Sequence, residues 1–84
     1  MADILLVDDE PEIMATTKIV LERAGYRVIE AESGAECLEK LKKKQPDLIL
    51  LDVMLPDESG WDVCRKIKKD GKTRDIPVVM FTVR

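Results

Sequence analysis

Acidic residues that follow apolar runs are the residues of this sequence best suited to chemistry. Residues 4–7 are an aliphatic run that leads into Asp8 and Asp9, and residues 48–51 lead in the same way into Asp52. Such runs are typical of strands buried on both faces of a parallel sheet. A carboxylate among apolar neighbours loses hydration unless it gains a partner such as a metal ion. The sequence has no His, which excludes imidazole chemistry and most zinc sites.

Four apolar segments alternate with three helical patterns, and these elements must position the acids. Pro11 fits an early helical position, where no N–H is needed, and Gly25 fits the C-cap of that helix. Ser33 and Glu36 have the spacing of a capping box that opens a second helix, and Ser59 is placed to cap a third. The predicted strands are residues 3–7, 26–31, 47–52 and 78–83.

Apolar spacing also predicts which helix faces are buried. In the third helix we expect an inward stripe made by Trp61, Cys64 and Ile67, with Val63 beside it. The second helix presents Ala35, Leu38 and Leu41, with Cys37 alongside. In the first helix the predicted inward face consists of Ile13, Thr17, Val20, Leu21 and Ala24.

The alternation of strands and helices predicts a single α/β domain over residues 1–84. Short β-α-β connections imply right-handed crossovers and a parallel sheet with helices on both faces. Arg27 and Glu30 make the second strand the most polar, so we place it at the sheet edge and predict the order 2-1-3-4. Strands one and three then flank the topological switch point, where ligands bind beyond the carboxyl ends of the strands.

This order brings Asp8, Asp9 and Asp52 to one end of the sheet. Three crowded carboxylates repel one another, and a divalent cation removes that cost. A set of oxygen ligands with room for water and phosphate oxygens favours Mg²⁺ over softer metals. Thr82 would end the fourth strand at the same edge, where its hydroxyl could donate to a phosphate.

Each of these residues also has an interpretation without a ligand. Asp8 and Asp9 could compensate the dipole of the first helix, and Asp52 could be a solvated strand end. Thr82 could simply be a good strand former. We interpret Asp57 and Glu58 as ordinary loop acids that precede a helix.

Composition and charge limit the possible functions. The 84 residues include 45% hydrophobic residues, which indicates one small packed domain. There are 14 Lys and Arg against 17 Asp and Glu, which gives a net charge of -3. This charge does not indicate a basic surface for nucleic acid binding. We find neither a membrane-length apolar run nor a signal sequence, and we expect a cytoplasmic protein. Cys37 and Cys64 lack metal-type spacing and are interpreted as small buried thiols. The lysines at residues 42–44 are interpreted as a solvated helix end.

Residues 4–11, 46–56 and 76–82, together with Gly60, resemble the receiver domain of two-component response regulators. The resemblance spans the whole chain and implies a flavodoxin-like fold. It implies that Asp52 is the phosphoacceptor, which receives a phosphoryl group from a phosphohistidine of a sensor histidine kinase. It also implies that Asp9, Asp52 and the backbone carbonyl of Met54 bind Mg²⁺ directly, with Asp8 acting through water.

The resemblance implies further roles. Thr82 is expected to hydrogen-bond the phosphoryl group and to change rotamer on activation. Met54 and Arg84 match positions that tune dephosphorylation, and Met14 and Lys18 match the exposed kinase-docking face of the first helix.

The chain differs from receiver domains after its fourth predicted strand. Receivers continue with a helix, a fifth strand that ends in a phosphoryl-contacting Lys, and a last helix, so we expect a truncated receiver. Residues 78–83 are patterned as a central strand but would form an exposed edge, which invites pairing with another chain. We therefore expect a possible homodimer through this edge or through exchanged elements.

Two other functions were weighed against a phosphoacceptor. A phosphatase of the haloacid dehalogenase type needs a second Asp two residues after its nucleophile, and Met54 occupies that position. A binding or oligomerisation module that keeps the fold without phosphotransfer stays open. We expect a signalling domain and not an enzyme, with at most self-catalysed phosphotransfer and dephosphorylation.

Overall fold

The computed structural model describes residues 1–82, and it contains the seven elements that the sequence predicts. The predicted strand end at Val83 and the role assigned to Arg84 lie outside the described residues. No helix in residues 1–82 has the length and apolar character that a membrane crossing requires. The elements are β1 Asp3–Val7, α1 Pro11–Arg23, β2 Arg27–Ala31, α2 Gly34–Lys43, β3 Leu48–Asp52, α3 Gly60–Lys69 and β4 Val78–Phe81.

The four strands form one parallel sheet in the order β2-β1-β3-β4, which confirms the flavodoxin-like prediction. Val7 of β1 lies opposite Ala31 of β2 on one side and Leu51 of β3 on the other. Asp52 lies opposite Phe81 of β4. The polar strand β2 is at an edge, as its charges predict, and β1 and β3 are neighbours at the centre.

The main core lies between the sheet and helices α2 and α3. Leu5 and Val7 of β1 face it, whereas Ile4 and Leu6 alternate with them and face the side where α1 packs on β1 and β2. Cys37 is fully buried in the main core, and this burial, with a smaller effect from the Glu58 charge, raises the pKa of its thiol to about 12. The core residues are Leu5, Val7, Ala31, Cys37, Leu41, Ile49, Leu51, Val63 and Ile67.

Two predicted helix faces need correction. In α3 the buried residues are Gly60, Val63 and Ile67. Trp61 is 52% exposed, and Cys64, predicted to be a buried thiol, is only partly buried. Trp61 precedes Val63 by two positions, which places it roughly 200° around the helix and toward solvent. In α1 the buried residue is Met14, which is 6% exposed, whereas Val20 is 61% exposed. The inward face of α1 is therefore centred closer to Met14 than the apolar spacing predicts.

The predicted helix boundaries are confirmed by their caps. Gly25 has a φ of 98°, the left-handed conformation that favours glycine after a helix. The Ser33 hydroxyl accepts from the Glu36 N–H at 3.0 Å, and the Ser59 hydroxyl accepts from the Trp61 N–H at 3.2 Å. Each bond satisfies one of the N–H groups that a helix leaves without an internal acceptor.

The loop between β3 and α3 folds back tightly onto the strand end. The Gly60 N–H donates to the Val53 carbonyl at 2.8 Å, and Met54 and Ser59 form an antiparallel bridge. A Cβ at Gly60 would lie 2.1 Å from the Asp52 carbonyl oxygen. Only glycine lets the first turn of α3 approach the backbone of Asp52 this closely.

Replacing Gly60 is therefore expected to unfold or distort this end of the sheet. We expect Gly60→Ala to lower the free energy of unfolding by at least about 2 kcal/mol, because backbone and not a flexible side chain blocks the new methyl group. Gly71→Ala is the matched control, since a Cβ there meets nothing within 4 Å. Urea denaturation of both variants is the measurement, and equal stability of the two would contradict the steric argument.

Candidate functional site

Three carboxylates meet at the carboxyl end of the sheet. Asp8, Asp9 and Asp52 each offer an oxygen atom, and these oxygens lie within 4.8 Å of one another. Asp8 and Asp52 are fully buried, whereas Asp9 is exposed. The structure thus brings together the three acids that the sequence predicts to converge.

The pairing of β1 with β3 produces this convergence. Val7 and Leu51 are opposite each other in the sheet. The residues that follow them in the chain, Asp8 and Asp52, therefore lie side by side at the carboxyl end of the sheet. Asp8 is further held by its N–H, which donates to the Ala31 carbonyl at 3.0 Å. The position of these two carboxylates therefore follows from sheet register and not from loop conformation.

Short-range hydrogen bonds orient the two buried carboxylates. Oδ1 of Asp8 accepts from the Glu10 N–H at 2.8 Å, and Oδ1 of Asp52 accepts from the Met54 N–H at 3.1 Å. In both cases the side chain bonds the backbone two residues ahead, the geometry of an Asx turn. Each turn directs the chain away from the strand end and holds the carboxylate in one orientation.

The chemistry of this donor set fits a hard divalent cation. Negative charges repel strongly where burial keeps the local dielectric constant low, and two of the three acids are fully buried. All three side chains supply oxygen, the ligand that Mg²⁺ prefers. The exposure of Asp9 provides a route by which an ion and a phosphoryl group could reach the buried acids.

Met54 and Thr82 lie at the same edge of the sheet. The Met54 side chain is 55% exposed, and its backbone is held between Asp52 and Ser59. Thr82 is exposed and directly follows Phe81, the residue opposite Asp52. The metal-binding role of the Met54 carbonyl and the phosphoryl-binding role of Thr82 stay predictions.

Asp57, which the sequence indicates to be an ordinary loop acid, has a structural role. Its two carboxylate oxygens accept from the N–H groups of Gly34 and Ala35 at 2.8 and 2.9 Å, at the start of α2. These two hydrogen bonds hold the pKa of the Asp57 carboxyl below its usual value. No local sequence signal identifies this cap, because donor and acceptor are more than twenty residues apart.

The neighbouring Glu58 also attaches the loop to the helices. Its carboxylate pairs with Lys66 at 2.9 Å, and a Cβ at Gly34 would lie 3.0 Å from the Glu58 Cγ. The loop that begins at Asp52 is therefore packed against the start of α2 and bonded to α3. These contacts restrain the loop.

Of the two residues predicted to be exposed on the kinase-docking face of α1, one is not exposed, and the docking role itself stays a prediction. Met14 is buried, so the prediction that it is exposed is wrong, because it packs on the sheet side of the helix. Lys18 bonds Glu30 of β2 at 2.7 Å. The large apolar residues that α1 does expose are Ile19 and Val20.

We expect Asp57→Asn to weaken the cap on α2. Its cost should be about 0.5–1 kcal/mol at neutral pH, the lower part of the capping range, because solvent screens this carboxylate. The pKa of Asp57 is lowered by folding, so its contribution is present above the unfolded-state pKa and is lost as the pH falls through the folded-state value. Thermal unfolding of both proteins from neutral to acidic pH measures this, and a difference that persists in acid would contradict it.

Comparison with known proteins identifies the family. The model of the response regulator receiver domain matches residues 4–84. The transcriptional regulator RpaA of Synechocystis is 45% identical over 82 residues, which cover 98% of this chain and 34% of RpaA. The chain thus spans about a third of the length of such curated relatives.

Solved structures agree with this match. The N-terminal domain of a response regulator receiver protein from Methanoculleus marisnigri is 50% identical with a TM-score of 0.95, and the match covers all of this chain and 68% of that one. The response regulator TrrA of Thermotoga maritima, solved in complex with Mg(2+)-BeF, is 38% identical with a TM-score of 0.92, covering 100% and 71% of the two chains. Together with the geometry of its acidic pocket, these matches show that the chain belongs to the receiver domain family of two-component response regulators.

Proposed function

We propose that Asp52 accepts a phosphoryl group from a phosphohistidine of a sensor histidine kinase, in a reaction that requires Mg²⁺. The observation that carries the proposal is the meeting of Asp8, Asp9 and Asp52 within 4.8 Å at the switch point of the sheet. Membership of the receiver family supports it, as does the Mg(2+)-BeF complex of the TrrA relative.

The proposed reaction transfers a phosphoryl group from an imidazole nitrogen of the kinase to a carboxylate oxygen of Asp52. A carboxylate oxygen of Asp52 attacks phosphorus, the phosphorus–nitrogen bond to the kinase imidazole breaks, and its electron pair stays on the imidazole. The product is an acyl phosphate on Asp52. The Met54 N–H, which donates to Oδ1 of Asp52 at 3.1 Å, supports this role by orienting the carboxylate.

The other residues of the pocket are proposed to bind the metal ion and the phosphoryl group. Asp9, Asp52 and the Met54 carbonyl would bind Mg²⁺ directly, and Asp8 would act through water. When bound, the ion would offset the repulsion between the carboxylates and the phosphoryl oxygens. The Thr82 hydroxyl would donate a hydrogen bond to the new phosphoryl group. That bond links the modification to the end of β4 and provides a two-state contact for signalling.

The partners and location follow from the same proposal. The proposed partner is a sensor histidine kinase, approaching through the exposed part of α1 near the pocket. RpaA is a DNA-binding transcriptional regulator, which supports a cytoplasmic site of action. We assign the described residues a signalling role without substrate turnover beyond self-catalysed transfer and hydrolysis.

Intact-mass analysis after incubation with acetyl phosphate and Mg²⁺ tests the acceptor. We expect one phosphoryl adduct on the wild-type chain, none on Asp52→Asn, and a much slower reaction for Asp9→Asn, which loses a metal ligand. Asp75→Asn, an exposed acid in the loop after α3, should react like the wild type. Absence of an adduct on the wild type would favour a binding module without phosphotransfer. An adduct on Asp52→Asn would show that another residue is the phosphoacceptor.

We also propose that this chain forms a homodimer through β4. This strand is the outermost one on its side of the described sheet, and Val79 on it is 46% exposed. An apolar strand with an unpaired edge can pair with a second copy of itself. Exchange of elements between two copies would be an alternative route to the same oligomer.

Light scattering at micromolar concentration tests this dimer. We expect a dimer for the wild type and a shift toward monomer for Val79→Lys, because a lysine on an edge strand disfavours pairing. Val20→Lys is the matched control, since this exposed valine lies on α1 and not on the sheet edge. A monomeric wild type, or equal dissociation by the two lysine variants, would overturn the β4 interface.

A further inference from the structure

The segment between β3 and α3, residues 53–59, carries the backbone carbonyl of Met54 that is proposed to bind the metal ion. Its base is closed by two backbone contacts, the hydrogen bond from the Gly60 N–H to the Val53 carbonyl and the bridge between Met54 and Ser59. These contacts join the two ends of the segment and do not involve its middle. The position of the middle therefore depends on contacts with other elements.

Asp57 attaches the middle of the segment to α2. Its two carboxylate oxygens accept from the N–H groups of Gly34 and Ala35 at 2.8 and 2.9 Å. Leu55, two residues earlier, is partly buried and packs against the main core. The peptide that carries the Met54 carbonyl joins Met54 to Leu55, so it lies between the closed base of the segment and the attachment at Asp57.

Helix α2 has a local cap that does not depend on Asp57. The Ser33 hydroxyl accepts from the Glu36 N–H at 3.0 Å, a bond between residues of the same short stretch. Asp57 bonds the N–H groups of Gly34 and Ala35, which lie outside this local cap. Removing either cap should weaken the start of α2, but only the removal of Asp57 also detaches the segment after β3.

Close packing makes the start of α2 a rigid support for this attachment. A Cβ at Gly34 would lie 2.8 Å from Cγ2 of Val63 and 3.0 Å from Cγ of Glu58, so α2 begins directly against α3 and the segment. The Glu58 carboxylate in turn pairs with Lys66 of α3 at 2.9 Å. Because closely packed elements shift little against one another, a bond to α2 also restrains the segment relative to the sheet.

We propose that Asp57 is a positioning residue for the metal site. By bonding the start of α2, it holds the segment that carries the Met54 carbonyl in the conformation that binds a divalent cation. A ligand that is ordered before the ion arrives binds more tightly, because less conformational freedom is lost on binding. The inference rests on the proposed metal site and assigns Asp57 no contact with the ion or with the phosphoryl group.

Titration of the chain with Mn²⁺, followed by the electron paramagnetic resonance of the free ion, tests this role. Mn²⁺ favours the same oxygen ligands as Mg²⁺. We expect Asp57→Ala to weaken Mn²⁺ binding about tenfold, as is typical for groups that orient metal ligands. Ser33→Ala is the matched control, because it removes a cap of the same helix and leaves the segment attached. Its affinity should stay within about twofold of the wild type, since that cap stabilises the helix alone. All proteins are compared well below their unfolding temperatures.

Two further measurements separate positioning from stability and from charge. Amide hydrogen exchange of residues 53–59, measured without metal, should be faster in Asp57→Ala and unchanged in Ser33→Ala, because only the first variant frees the segment. The difference in Mn²⁺ affinity should persist at about 0.5 M KCl, where a Debye length of about 4 Å screens the charge that Asp57→Ala removes.

The outcomes distinguish this role from the proposed function. Equal Mn²⁺ affinities of the two variants, loss of their difference at high salt, or unchanged hydrogen exchange in Asp57→Ala would each overturn the role of Asp57 and leave the metal site standing. A wild-type chain that binds no Mn²⁺ would overturn the metal site itself, and the positioning role with it.

Discussion

The parallel pairing of β1 with β3 is the constraint on which the rest of the structure depends. It places Val7 beside Leu51, and the residues that follow, Asp8 and Asp52, emerge together and fully buried. Two carboxylates forced together in an apolar environment are unfavourable by themselves. The fold accepts this cost at one place only within the described residues, and Asp9 completes an oxygen donor set there. A divalent cation would remove this cost, which supports the proposed Mg²⁺ site.

The loop after β3 keeps this pocket in one shape. Gly60 allows α3 to begin against the Asp52 backbone, and Asp57 bonds the first N–H groups of α2. The segment between Asp52 and α3 is thus packed against the strand at its end, Gly60, and bonded to α2 at its middle, Asp57. These contacts join the segment after Asp52 to both α2 and α3.

The two ends of the molecule have opposite character. The carboxyl end of the sheet gathers acids, and the opposite end presents lysines in the last turns of α2 and α3. Parallel β-α units produce this polarity, since every helix begins near the carboxyl end of the sheet and finishes at the other. The helix dipoles favour cations where the helices finish, and each of the three helices carries basic residues in its last turn.

The sequence by itself determined the elements, their order and the three central acids. Aliphatic runs, caps at Ser33 and Ser59, and the charges of β2 are local signals, and they are sufficient for the strand order and for Asp8, Asp9 and Asp52. These signals work because strand burial and helix capping depend on residues only a few positions apart.

Only the tertiary structure decided which side chains meet across long separations. It showed that Asp57 caps α2, that Trp61 faces solvent and that Met14 is buried. It also brought the lysine of the α3 loop opposite those of α2. Such outcomes depend on how far each helix is rotated about its axis when it packs, and apolar spacing defines that rotation only to within a residue or two. The Asp57 cap on α2 joins residues more than twenty positions apart, so no local pattern contains it.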